Sequence, residues 1–223
     1  MRTLGLLGVL LFAMPLSAAD EAVKVKSEKL PPPAELKGPI SELIGDDAIV
    51  IQDAKGNTLS TIWFRKEIPS KATPEQVKNG TTYREIASTT LVGALQLPQK
   101  WTDFRKQEIP KGVYTLRLAI QPMDGDHMGT APHNEFLLLC PADKDVKPDT
   151  MELKAAHELS AESHGATHPA VLLLFPNAKP ADAPSVVSKG AGIFVLNIKR
   201  PINAGGMKST LGFGMTVAGH TAE

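Results

Sequence analysis

The sequence contains only one cysteine, Cys140, so the chain cannot close an internal disulfide bond. Without disulfides, a protein of this size depends on a buried apolar core for its stability. Cys140 lies in the apolar run FLLLC, which predicts a strand covered on both faces and a buried, unreactive thiol. The alternative, a nucleophile or a copper ligand, is less consistent with these apolar neighbours. We therefore assign Cys140 no catalytic role.

An excess of charge of either sign is also missing, because 24 basic residues balance 24 acidic residues. No run of basic residues occurs, which argues against binding to nucleic acid or to an anionic membrane surface. The hydrophobic content of 42% is typical of a globular protein with a core.

Apolar runs long enough to anchor the chain in a bilayer are missing, and the longest run, LGLLGVLLFAMPL, lies near the N-terminus. It follows Arg2 and precedes the small residues S-A-A, which is the order found in secretory signal peptides. We predict that residues 1–19 are removed, that the mature chain begins at Asp20, and that the protein is secreted or periplasmic. No cysteine near the cleavage point could carry a lipid anchor, so we predict no membrane insertion.

What the sequence does contain is a series of short apolar segments separated by turn residues, with 18 glycines and 18 prolines. This pattern predicts an all-β fold, a single antiparallel β-sandwich of about eight strands over residues 41–223, with one or two short helices. Residues 20–40 contain a triple proline and are predicted to be a flexible lead-in. The predicted strands cover residues 48–52, 59–65, 90–97, 113–120, 136–140, 170–175, 193–199 and 210–217.

Local patterns predict further details of these elements. Gly56 and Asn57 tolerate positive φ and predict a hairpin between the first two strands. In the strand at 113–120, Thr115 and Arg117 alternate with apolar residues, which predicts one apolar and one wetter face.

Two short helices are predicted from their end signals. Thr73 is a good cap for a helix that begins at Pro74 and is stopped by Gly80. A second helix is predicted within residues 149–163, where Asp149 and Glu152 have capping-box-like spacing.

Known catalytic motifs are not recognisable in this sequence. It has no G-x-S-x-G elbow, no phosphate-binding G-x-x-x-x-G-K, and no complete G-x-G-x-x-G. The segment HELSAESH separates its histidines by seven residues, whereas a zinc-protease helix requires four. We predict no catalytic residues and favour a non-enzymatic role, with a hydrolase as the least favoured class.

The stretch QPMDGDHMGTAPHNE, residues 121–135, concentrates side chains that bind metals. Counted from Asp124, it matches much of the calcium-loop pattern D-x-[DN]-x-[DN]-G-x5-E. Asp124, Asp126 and Glu135 would supply hard oxygen ligands for Ca²⁺. Two departures count against this interpretation, since Met128 replaces an oxygen donor and the flanking segments are strands where an EF-hand has helices.

Histidines provide an alternative set of ligands, because five of the six lie between residues 127 and 168. Imidazole suits copper or zinc, so His127, His133 and His168 are candidate ligands for these ions. No second pair of histidines or cysteines at tight spacing completes a zinc motif. The structural alternative is a loop whose Asp and Asn side chains bind their own backbone. At 15 residues, however, the connection between the predicted strands exceeds what a hairpin needs.

Two segments resemble known exported proteins. EIPKGVYTLRLAIQ, residues 108–121, resembles the start of a strand in secreted β-sandwich modules of the transthyretin-like and carboxypeptidase-regulatory-like families. The run YTLRLAIQPMDGDHMGTAPHNEFLLLCPA, with HPAVLLLFP downstream, resembles uncharacterised exported proteins of planctomycete type. The resemblance implies export and a β-sandwich, but it implies no known activity and transfers no functional residues.

These patterns together predict an exported, non-catalytic binding or structural module of the cell envelope, with an envelope protein or polysaccharide as its partner. The alternative is a metal-binding secreted protein that uses the loop at 124–135 and His168 to hold Ca²⁺, or copper or zinc. The metal content of the purified protein would separate these two hypotheses.

Overall fold

The computed structural model describes residues 23–121 and 131–220. The predicted signal peptide and the predicted metal ligands Asp124, Asp126 and His127 lie outside the described residues. The helices are α1 (Gly38–Leu43), α2 (Pro74–Asn79) and α3 (Leu153–Ala161). The strands are β1 (Lys24–Lys29), β2 (Ile44–Gln52), β3 (Thr58–Arg65), β4 (Ile68–Ser70), β5 (Leu91–Leu97), β6 (Trp101–Thr102), β7 (Glu108–Ile109), β8 (Gly112–Ile120), β9 (Glu135–Pro141), β10 (Val171–Phe175), β11 (Ser185–Ser188), β12 (Phe194–Ala204) and β13 (Met207–Ala218).

The prediction of an all-β fold is confirmed, but the prediction of an eight-stranded sandwich is wrong. Ten strands form one continuous curled sheet in the order β1-β2-β3-β5-β8-β9-β10-β13-β12-β11. Its neighbours are antiparallel, while the short β4 pairs in parallel with β12, and β6 and β7 form a separate hairpin. A sandwich and a curled sheet both bury one face of each strand, so the sequence pattern alone does not separate them.

The main core fills the inside of the curl. Inward-facing residues alternate along each strand, as in Ile62 and Phe64 of β3 and in Phe213 and Met215 of β13, and all four are almost fully buried. Part of the outer surface is covered as well. The segment that carries α1 packs over β3, and α3 packs over β9. Several central strands are therefore buried on both faces.

The segment predicted to be a flexible lead-in contains ordered structure from Lys24 onwards. β1 pairs along its length with β2, and Leu36 and Ile40 pack against the outer face of the sheet beside Trp63. The Trp63 indole Nε1 donates a hydrogen bond of 3.0 Å to the carbonyl of Leu30. β1 was not predicted, because it is an edge strand rich in charged residues and has no apolar run. Such a composition discourages pairing with other chains.

The predicted hairpin between β2 and β3 is confirmed. Gly56 adopts a φ of +88° in its turn. The Asp53 carboxylate accepts hydrogen bonds of 2.8 Å from both the backbone and the side-chain amide of Asn57, which fixes the turn between the two strands.

The first predicted helix is confirmed as α2, where the hydroxyl of Thr73 and the side chain of Gln76 form a complete capping box. The second, α3, begins at Leu153, with Glu152 at its cap position and no side-chain cap bond. Asp149 therefore does not cap this helix.

The prediction of a wetter face on β8 is wrong. Thr115 and Arg117 have no solvent-exposed surface, because the segment that follows β9 covers them. The neighbouring prediction is confirmed, since Cys140 is fully buried on β9, with Leu138 and Ala156 in the same apolar cluster. The face of β8 that carries Thr115 and Arg117 is polar in sequence but dry in the structure.

Candidate functional site

A fully buried arginine is the most extensively hydrogen-bonded polar side chain in the described structure. The guanidinium of Arg117 donates to both carboxylate oxygens of Asp145, at 2.7 and 2.8 Å. It also donates to the backbone carbonyls of Thr89 at 2.7 Å, of Asp149 at 2.9 Å and of Lys147. The five N–H donors of the arginine are thus all satisfied.

This network has a structural role because it leaves no donor for a ligand. Thr115, two residues before Arg117 on the same face of β8, also donates a hydrogen bond to Asp145. Together these contacts hold the segment between β9 and α3 against the outer face of the sheet. The nearby Cys140 thiol is inert, since burial, reinforced by the negative charge of Asp145, raises the pKa of its thiol to about 12.

A second arginine borders a cleft and has a very different environment. The cleft has a volume of about 490 Å³. It lies where the start of β2 and the end of β3 approach β12 across the curl. Its charged lining residues are Asp46, Asp47, Lys66, Asp182, Lys199 and Arg200, and its other lining residues are Gly45, Phe64, Pro201 and Thr210.

Arg200 occupies an inward-facing position on β12. It lies between Ile198 and Ile202, which both belong to the main core, and it pairs across the ladder with the buried Leu211. Its guanidinium carbon lies 5.1 Å from the ring centroid of Phe64 on the opposite side of the curl. This contact is a cation–π interaction that fixes the guanidinium at the rim of the apolar interior.

The donors of Arg200 have no partners within residues 23–121 and 131–220. Its Nε is buried without a hydrogen bond, and no ion pair to its guanidinium is formed by the described residues. Burial lowers the pKa of this guanidinium, an effect that the nearby Asp47 carboxylate partly opposes, and the arginine remains protonated near neutral pH. Arg200 is therefore a charge that has lost part of its water and that has, among the described residues, a ring contact but no hydrogen-bond acceptor.

The carboxylates of the cleft are each engaged by a lysine. Lys29 contacts Asp46 at 3.0 Å and Asp47 at 2.8 Å, and Lys199 contacts Asp182 at 2.8 Å. The three aspartates are exposed, so these pairs contribute little to stability, but they do offset the negative charge beside Arg200.

Lys66 is the other cation of the cleft without a carboxylate partner. Its ammonium donates a hydrogen bond of 2.7 Å to the carbonyl of Glu42, and its remaining donors face solvent. Arg200 and Lys66 are thus the two cations of the cleft whose charge is not offset by an ion pair with a described residue.

The sequence-predicted metal ligands that the structure describes have other partners or lie apart. Glu135 is the first residue of β9, and its carboxylate lies 3.4 Å from Nε of Arg84. The ring of His133 contacts the ring of Phe175 edge to face at 4.8 Å. His168 is exposed in the turn after α3. The hypothesis of a metal site at 124–135 stays a prediction, because three of its ligands lie outside the described residues.

The described histidines do not gather around one point. Among residues 23–121 and 131–220, no group of three histidine, cysteine, aspartate or glutamate side chains is placed to hold a metal ion. His157 lies on α3 near the ring of Phe136, at 6.2 Å between centroids, whereas His164 follows the helix.

The groove along α3 is larger, at about 780 Å³, but it is a weaker candidate. It is an open surface depression lined by Leu153, Ala161 and neighbouring residues. Its charged side chains have partners of their own, with Lys154 lying 3.9 Å from Glu158 on the exposed face of the helix. Within the part of the chain that the structure describes, the lysine of this groove has an ion pair, whereas Arg200 in the cleft has none.

Comparison with known proteins identified no relative of this chain, since no protein family, curated protein or solved structure matches it. No helix in the two described ranges is both long and apolar enough to cross a membrane. The candidate site therefore rests on geometry alone.

Sequence reasoning missed Arg200, although a signal for it was present. In the segment NIKRPI, Arg200 falls two residues after Ile198 and two residues before Ile202, so the period of a strand places it on the apolar face. The predicted strand ended at 199, one residue short of this position. A charge in an apolar register is the pattern that marks such a site.

Proposed function

We propose that this protein is a non-catalytic binding module, exported to the cell envelope, that binds a small polar ligand in the cleft between β2, β3 and β12. The observation that supports this proposal most directly is the position of Arg200, partly buried and without a hydrogen-bond partner in the described structure. An arginine that is partly withdrawn from water is usually paired with an acceptor, so a ligand oxygen at the terminal N–H groups of Arg200 would supply a partner for its charge.

The size of the cleft is consistent with this role. Ligand sites in proteins commonly have volumes of about 300–1,000 Å³, and the cleft has about 490 Å³. The ligand can be a small molecule or the end of an envelope polymer. A broad apolar docking surface has less support, since Val146 and Val187 are the exposed large hydrophobic residues among those described.

The site is tested by hydrogen–deuterium exchange of the mature chain, with and without the small-molecule fraction of the envelope from the producing cell. We expect slower exchange in residues 44–47, 64–66 and 198–202, because a ligand in the cleft would restrict their opening. We also expect the bound molecules to be recovered chemically unchanged, as a non-catalytic role requires.

Three outcomes would contradict the proposal. The exchange could be unaffected by the extract, or its slowing could be confined to the α3 groove at residues 153–167. Recovery of a chemically altered molecule would instead show that the protein is an enzyme.

A further inference from the structure

We infer that the cleft recognises an oxyanion, a carboxylate or a phosphate, through Arg200 with the help of Lys66. This inference rests on the proposed function and names the chemical class of its ligand. Both cations line the same cleft, and neither forms an ion pair with a described residue.

The chemistry of Arg200 favours an oxyanion over a neutral ligand. The planar guanidinium presents N–H donors in a fixed fork, and this fork matches two oxygens of a carboxylate or phosphate. Its contact with the ring of Phe64 restricts the side chain without using any of these donors. The group is therefore held in place before a ligand arrives, which lowers the entropic cost of binding.

The net charge around the cleft also favours an oxyanion as the ligand. The three aspartates of the cleft are contacted by two lysines, Lys29 and Lys199. With the two further cations that line the cleft, the local net charge is +1. The excess lies at Arg200 and Lys66. The nearest opposing influence is Asp47, whose negative charge acts on Arg200 without forming an ion pair with it.

Arg200 also stands at a position where a charge is unfavourable for folding. Its neighbours on the inner face are Ile198 and Ile202, and its Nε is buried without a hydrogen-bond partner among the residues that the structure describes. A methionine would fill similar space and pack on Phe64 with no charge to desolvate. A residue that opposes stability at the rim of a cleft is typical of a binding site.

The test is titration of the full mature chain with sodium phosphate, sodium succinate and putrescine, followed by backbone NMR at constant ionic strength. We expect phosphate or succinate to shift the resonances of residues 45–47 and 199–201, and the tighter of the two identifies the chemistry of the anion. Arg200→Met should weaken this binding by at least about tenfold, as expected for loss of hydrogen bonds to a charged group. Arg200→Lys should also weaken it, because lysine lacks the fork.

Two further variants control for charge and for position. Asp47→Asn removes the nearest carboxylate, so it should tighten the binding of the anion. Arg105→Met removes an exposed arginine that does not line the cleft, and it should leave the affinity unchanged. Arg200→Met should keep the fold, with a melting temperature equal to or above that of the wild type. A melting temperature that falls by about 4 °C or more, which corresponds to roughly 1 kcal/mol or more, would make Arg200 a structural residue and overturn the inference.

The other outcomes separate the inference from the proposed function. If putrescine binds in the cleft and Asp47→Asn abolishes its binding, the ligand is a cation, and only the inference is overturned. If no probe shifts the cleft, or if the shifts by phosphate survive Arg200→Met, the inference is likewise overturned. The proposed function fails separately, when the envelope extract gives no protection of the cleft from exchange.

Discussion

Arg117 and Arg200 are both arginines on strands with apolar neighbours, and they differ in the partners of their donors. Arg117 has an acceptor for each N–H group, whereas Arg200 has a ring contact and no acceptor among the described residues. The first arginine therefore stabilises the fold, and the second is available to a ligand. Their replacement by methionine should accordingly change stability in different directions.

We expect Arg117→Met to lower the free energy of unfolding by about 3–5 kcal/mol, since it leaves the buried Asp145 without its partner. Urea denaturation measures this loss. The double variant Arg117→Met with Asp145→Leu should recover part of it, because it removes the buried charge but leaves the carbonyls of Thr89, Lys147 and Asp149 without their donor. A loss below about 1 kcal/mol in the single variant, the range of an exposed pair, would show that the network is not a significant source of stability.

Cys140 should make the stability depend on pH in the alkaline range. Burial raises the pKa of its thiol from 9.0 to about 12, so the unfolded chain loses this proton at a lower pH than the folded chain. The contribution is fully present below pH 9 and is lost as the pH rises towards 12. We expect urea denaturation to show a smaller alkaline loss for Cys140→Ala than for the wild type.

Labelling with a thiol reagent provides a second readout of the same residue. The native chain should react far more slowly than the unfolded chain, because Cys140 is fully buried and protonated. Burial also raises the pKa of Tyr83, so some alkaline loss of stability should persist in the Cys140→Ala variant. Equal labelling rates for native and unfolded protein would contradict the burial of β9.

At the scale of elements, the strands with an apolar run or an alternating pattern were predictable, and the charged or very short ones were not. Each of the eight predicted strands corresponds to a strand of the sheet, because an apolar run or an alternating pattern marks it. The others, β1, β4, β6, β7 and β11, have between two and six residues. The pairing of β4 with β12 joins segments far apart in the chain, and no local pattern encodes it. β6, β7 and β11 pair with nearby segments, but they are too short for an alternating pattern to mark them.

The candidate cleft could not be predicted from the sequence either, because it is formed by segments that are distant in the chain. Phe64 and Arg200 are far apart in the chain and meet across the curl of the sheet. Only the inward register of Arg200 could be read from the sequence. The absence of an acceptor for it among the described residues depends on where the carboxylates of the cleft lie. The curl itself is a property of the whole sheet and has no local signature.

The predicted metal site lies in the loop between β8 and β9. Two sets of ions distinguish a calcium site from an imidazole site. A calcium site should raise the melting temperature in Ca²⁺, lose this response in Asp126→Ala, and gain response in Arg84→Ala, which releases Glu135. An imidazole site should respond to zinc or copper and lose that response below about pH 6, as histidine becomes protonated. No shift with any of these ions would rule out a metal site in the loop.

At the scale of the whole molecule, export is the prediction that decides where a ligand is encountered. We expect the intact mass of the protein from the cell envelope to correspond to a chain that begins at Asp20 and carries no lipid. Mass spectrometry of the protein expressed in its own cell measures this directly. A chain that retains residues 1–19, or one with a lipid adduct, would contradict the prediction.

The order of strands in the sheet has a consequence for when the fold can be completed during synthesis. From β1 to β10, each strand on the path pairs with the one before it, so this part can assemble in the order in which it is made. β11 and β12 cannot join the sheet until β13 exists, because β13 alone links them to β10. A chain stopped at Gly206 would leave β10 with an open edge, and β4 would lose the attachment of its partner β12 to the sheet. The cleft beside Arg200 can therefore form only after β13 is available for pairing.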